Sequence, residues 1–248
     1  MPVAVSDPNA AYVIAVIFLA TLVRSTVGFG EALVAVPLLA LRLPVSVAAP
    51  LATVFSVVIA GVVVAQDWRH VQVRSAVGLI LPALVGVPLG ALLLVRGNEH
   101  MVKALLGVVI AGFSIYSLSG RSKLHLSKDH PRWLLGCGFI SGVLGGAYGM
   151  NGPPLVVYGA LRRWSPQHFR ATLQGYFLPV STAGLLGYVV AGLWSAEVTR
   201  YLLLSVPATA IAIPIGRAIN RRLTGQHFLQ AIYVGLTVTG IMLLHQAR

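Results

Sequence analysis

The chain has 248 residues, 57% of them hydrophobic and only 10% charged, with a formal net charge of +12. Soluble domains carry about 25% charged residues, so this composition excludes an ordinary water-soluble fold and implies a polytopic membrane protein. The excess of Lys and Arg is explained by basic cytoplasmic loops rather than by nucleic-acid binding.

The N-terminal MPVAVSDPNA has no basic n-region and carries Asp7, so the first apolar run is expected to be a retained helix rather than a signal peptide. Apolar segments follow at 10–27, 31–43, 45–66, 71–95 and 101–118. After a basic stretch come 134–147, 152–162, 171–193, 199–218 and 227–244. The runs are continuous rather than alternating, which favours helices over a barrel. A span needs about 20 residues, so 31–43 and 152–162 are expected to be half-helices or re-entrant segments.

The first of these short segments follows a peculiar run, RSTVGFGEALVAVPLLAL at 24–41. It places Arg24, Ser25, Thr26, Gly28, Gly30 and Glu31 inside an apolar region. An arginine in a membrane costs about 2.5–3.5 kcal/mol on insertion scales, so it is expected to face a cavity or a partner. Its planar fork suits a pair of oxyanion oxygens. The competing reading is a structural ion pair with Glu31, or snorkelling to an interface. Glu31 is the one acidic residue in an apolar segment. Protonated, it suits proton coupling; ionised, it neutralises Arg24.

The second short segment follows SGVLGGAYGMNGPP at 141–154. Here Tyr148, Gly149, Asn151 and Gly152 read as a stop and a new helix start, with proline in the first turn. A helix N-terminus offers amide N–H groups and a positive dipole end, which together suit an anion. Gly-rich breaks also serve close helix crossing. Arg170, in HFRATLQGYF, is either a site residue or a cytoplasmic flank. Thr53 and Thr172 could donate hydroxyls, although such threonines often bond their own helix. Pro82, Pro88, Pro207 and Pro214 are expected to kink two long segments.

The two breaks belong to a wider self-similarity. Phe29-Gly30 recurs as Tyr148-Gly149 and Ala52-Thr53 as Ala171-Thr172, each 119 residues on. Pro88-Leu89-Gly90 recurs as Pro214-Ile215-Gly216, and Trp68 as Trp194, 126 residues on. The shared order indicates a duplication: a first repeat over 1–118, a basic linker over 119–133 and a second repeat over 134–248. The linker carries Arg121, Lys123, Lys128 and Arg132 against Asp129 and is read as cytoplasmic. Loop charges then alternate so that corresponding loops swap sides, which predicts an inverted repeat; parallel repeats with four full crossings each are the alternative.

Histidines show no paired spacing for a metal. Phosphate-loop and nucleophile-elbow patterns are missing. No cofactor and no enzymatic chemistry are therefore expected. The lone Cys137 reads as a small core residue and excludes an intramolecular disulfide.

The runs VGFGEALVAVPLLAL, SGVLGGAYGMNGPPLVVYGAL and FRATLQGYF together resemble the sulfite exporter TauE/SafE family of membrane transporters, over almost the whole chain. The resemblance implies an α-helical inner-membrane carrier of about eight spanning helices for sulfite, sulfoacetate or related organosulfur anions. Glu31 and Ala32 depart from it, standing where further glycines are common in the family. The expectation is an all-α, multi-pass cell-membrane protein that moves a small anion, with the lipid bilayer and that anion as its partners and no nucleic acid. A non-transporting membrane scaffold is the rival reading. The sequence leaves the oligomeric state open, a homodimer among the options.

Overall fold

The computed structural model describes residues 8–27, 29–67, 69, 71–119, 126, 129–220 and 226–247. Gly28, Trp68, Arg121, Lys123, Lys128 and the stretch 1–7 lie outside them. Ten helices follow the ten apolar segments: α1 Pro8–Val27, α2 Glu31–Ala40, α3 Val45–Asp67, α4 Val73–Arg96, α5 Glu99–Leu118, α6 Pro131–Tyr148, α7 Gly152–Leu161, α8 Pro166–Val190, α9 Ala196–Asn220 and α10 Gln226–Gln246. Among the described residues there are no strands. Among the described residues, six of the helices are both long and apolar enough to cross a membrane. The short pair, α2 and α7, have 10 residues each. At 1.5 Å per residue that is about 15 Å, half of a hydrocarbon core of about 30 Å.

The largest departures from the sequence-based bounds lie where polar residues extend a helix beyond its apolar part. α6 starts at Pro131 because proline fits the first helical turn, which shortens the expected linker. α8 starts at Pro166, before the apolar run, because the Ser165 hydroxyl accepts from His168 N–H. The Asn98 side chain caps α5 in the same way, accepting from His100 N–H at 2.9 Å.

The most extensive contacts are α4 with α6, α1 with α9, α5 with α10 and α3 with α8. Each pair joins one helix of the first five to one of the last five, so the halves interleave. The α4–α6 contact is the closest. A Cβ on Gly86 or Gly90 would stand 2.4 or 2.0 Å from a carbonyl oxygen of α6. A Cβ on Gly142 or Gly146 would stand 2.1 or 2.0 Å from a carbonyl oxygen of α4. In lipid, helices associate through such small-residue approaches because burying apolar side chains gains little there.

The described part of the linker is clasped to α4 and α7. Asp129 accepts from Tyr158 Oη at 2.6 Å and from Ser75 Oγ at 2.8 Å, and pairs with Arg162 at 3.0 Å. Leu126 N–H donates to the Leu161 carbonyl at 2.9 Å, and Arg162 donates back to Leu126 O at 2.9 Å. Burial pushes the Asp129 carboxyl up. The hydrogen bonds from Tyr158 and Ser75, with the charges of Arg162 and Arg74, outweigh that and hold it below the usual carboxylate range.

Two outcomes follow. A depressed folded-state carboxylate stabilises above the ordinary carboxylate range, and the effect is lost as pH falls through the lowered value. Thermal melts should therefore show wild type and Asp129→Asn converging at acid pH and separating at neutral pH, with the variant less stable. Gly142→Ala should cost about 1–3 kcal/mol by overpacking, whereas Gly112→Ala, which meets no atom within 4 Å, should leave the melting temperature unchanged.

Candidate functional site

Both breaks turn on a glycine with positive φ. Gly30 precedes α2 at φ 94° and Gly149 ends α6 at φ 67°. That left-handed region is open to glycine at little cost. Gly149 is doubly constrained, because a Cβ would also stand 2.4 Å from Thr53 Oγ1. Its N–H donates to the Gly145 carbonyl at 2.8 Å, closing α6.

Arg24 sits in the last turn of α1 and Glu31 in the first turn of α2, so the first break brings opposite charges face to face. Arg24 Nη1 donates to Glu31 Oε2 at 3.0 Å and to Ser56 Oγ at 3.3 Å. Nη2 donates to Gln174 Oε1 at 2.7 Å and reaches the Ser56 carbonyl at 3.5 Å. The guanidinium also lies 5.9 Å from the centroid of the Phe177 ring. One buried cation thus ties α1, α2, α3 and α8 together. The pair is buried, with Arg24 3% and Glu31 1% exposed.

The second break is held by neutral groups. Ser141 Oγ donates to the Asn151 carbonyl and accepts from Tyr176 Oη at 2.9 Å. Asn151 Nδ2 donates to Ser181 Oγ at 3.0 Å, and Tyr188 Oη donates to the Gly145 carbonyl at 3.0 Å. Between the breaks lies a cavity of about 20 Å³ bordered by Arg24, Gly30, Glu31, Ser56, Asn151 and Ser181, with Phe29 and Phe177 as apolar walls. It has room for about one water. The first turns of α2 and α7 both border it. Pro153 and Pro154 carry no N–H, so α7 offers fewer donors than α2.

Of the residues singled out in sequence, Arg24, Gly30, Glu31, Gly149, Asn151 and Gly152 converge on this cavity. Ser25 lines a neighbouring one. The others turn elsewhere. Thr26 Oγ1 donates to Leu22 O at 2.8 Å, and Thr53 Oγ1 to Ala49 O at 2.7 Å. Thr172 Oγ1 accepts from Gln72 N–H, and Tyr148 Oη donates to Val102 O on α5. Gly28 and the Arg170 side chain lie outside the described residues. Sequence reasoning missed Ser56, Ser181 and Phe177. No local spacing sets them apart from other residues of the same helices.

An all-helical, multi-pass membrane protein with two half-helices meeting at a buried charge pair is what this fold and cavity define. The family model described as Sulfite exporter TauE/SafE matches residues 13–243. The chain belongs to that family. It is 28% identical over 151 residues to a "Probable sulfite/organosulfonate exporter TauE" of Cupriavidus necator, a match covering 61% of this chain and 58% of that relative. No solved structure matches the chain.

The charge pair predicts an asymmetric mutational response. A lone buried Glu31 can take up a proton, but a lone guanidinium cannot lose one. Breaking a buried pair costs about 3–5 kcal/mol when a charge is left uncompensated. Glu31→Ala should therefore lower the melting temperature in detergent more than Arg24→Ala does.

Proposed function

We propose that the chain is a secondary transporter of a small anion, with sulfite and organosulfonates as the leading substrate class, in the cell membrane. The observation that carries this reading is the Arg24–Glu31 pair, set across a helix break and facing a cavity bordered by two half-helix N-termini. A helix that serves only as scaffold gains nothing from a buried cation, an anion and a broken backbone. Discontinuous helices whose N-termini converge are a recurring way to hold anionic groups in carriers. The family membership and the description of the Cupriavidus relative support the same class.

The mechanism follows from competition for one cation. An incoming oxyanion and the Glu31 carboxylate seek the same N–H donors of Arg24. Protonating Glu31 removes the competitor and the like-charge repulsion. Its second oxygen, Oε1, accepts no hydrogen bond among the described residues, so a proton has a seat that leaves Oε2 in place. Around the pair, Ser56 on α3, Asn151 just before α7, and Gln174 and Ser181 on α8 are neutral. Anion and proton are therefore bound together. The central cavity holds about one water, so a sulfur oxyanion enters only as the surrounding helices part. We take the duplicated halves, 1–118 and 134–248, as inverted repeats, with the linker 119–133 in the cytoplasm.

Two measurements test this. Purified protein in liposomes should take up radiolabelled sulfite or sulfoacetate; no movement of sulfite, sulfonates or carboxylates under any proton gradient would defeat the proposal. Anion affinity should rise as pH falls, and Glu31→Gln should remove most of that dependence while retaining binding. An unchanged pH profile in Glu31→Gln would assign the coupling to another group.

A further inference from the structure

A second cavity, of about 290 Å³, lies between α1, α3, α8 and α9 and also reaches Arg24. Its character is the opposite of the central one. Its polar contacts are Arg24, Ser25 and Gln174 at one end, where Arg24 and Gln174 are joined at 2.7 Å. Thr209 also lines it, but its hydroxyl donates to the Ser205 carbonyl of its own helix at 2.9 Å. The remaining wall is apolar, including Phe55, Ile59, Leu202 and Ile213. Arg24 is therefore a partition with a polar space on one side and a larger apolar space on the other.

The apolar space has a direction. Arg24 contacts α3 at Ser56, and the cavity continues along α3 to Val62. Six residues of helix extend about 9 Å. Lipid cannot explain the polar end, because a hydrocarbon chain has no use for a buried guanidinium and a buried amide. An anion without a tail makes no use of the apolar wall. A head group joined to a tail uses both.

We propose that this cavity receives the apolar tail of an amphiphilic organic anion whose sulfonate or carboxylate head lies at Arg24 and Gln174. This rests on the anion reading above and narrows it to organic anions bearing an aryl ring or an alkyl chain. An apolar cavity of about 150 Å³ accepts benzene, so a cavity of about 290 Å³ accommodates a ring or a chain of roughly six carbons. The head displaces the 3.5 Å contact between Arg24 and the Ser56 carbonyl. Val58 and Val206, half-exposed on the rim, let the tail enter from the lipid side.

The test is calorimetric titration of the full chain in lipid nanodiscs with methane-, butane- and hexanesulfonate. Affinity is expected to rise roughly fourfold per added methylene, from about 0.8 kcal/mol per buried CH₂. Two variants fill the cavity from opposite walls, Val54→Phe and Ala210→Phe. Each is expected to flatten the series while binding methanesulfonate, which has no tail, within about twofold of wild type. Neutral 1-hexanol is expected not to displace hexanesulfonate at equal concentration. A flat wild-type series with clear methanesulfonate binding overturns the tail pocket and leaves the anion reading standing. A length dependence retained in both variants reports bilayer partitioning and also overturns it, as does equal competition by hexanol. Failure of every sulfonate to bind, methanesulfonate included, overturns the anion reading and the tail pocket together.

Discussion

A single buried cation organises this molecule. Arg24 cannot lose its charge, so once it lies between helices the surrounding structure must neutralise it. Glu31 does so from the far side of the glycine break, and Ser56 and Gln174 complete the shell from α3 and α8. Without the break at Phe29-Gly30, continuous helix would carry residue 31 about 10 Å beyond residue 24. The backbone interruption is thus the condition for the ion pair, and the ion pair is the compensation for the interruption.

The second break solves the same geometric problem without charge. Ser141 and Tyr188 donate to the Asn151 and Gly145 carbonyls, Tyr176 donates to Ser141, and Ser181 accepts from Asn151 Nδ2. The two half-helices are alike in length and in their positive-φ glycine, yet of the two only α2 bears a carboxylate. Such a site is charged on one side and neutral on the other.

Around this centre, rigidity is unevenly distributed. The α4–α6 contact is locked by glycines whose Cβ positions coincide with facing carbonyls. Between α3 and α9, by contrast, a cavity of about 290 Å³ remains. Helices joined by backbone-to-backbone approach move as one body, whereas helices separated by a cavity can change their distance at low cost. The linker clasp through Asp129 fastens α7 to the α4 side.

Much of this was legible in the sequence. Apolar runs marked all ten helices because lipid demands continuous hydrophobicity. Glycine beside Arg24 and Glu31 marked the first break, and Asn151-Gly152-Pro153-Pro154 marked the second, because backbone chemistry is local. Family membership was legible for the same reason, through the glycine and proline pattern around the breaks. The partners of Arg24 were not. Ser56 and Gln174 lie 32 and 150 residues away, and no local pattern distinguishes them from other helix polar residues. Thr53 and Thr172 occupy matching sequence positions but make unrelated bonds: Thr53 donates within its own helix, whereas Thr172 accepts from the Gln72 N–H that precedes α4. Which polar group faces the cavity, and which satisfies its own backbone, is decided only when distant helices pack.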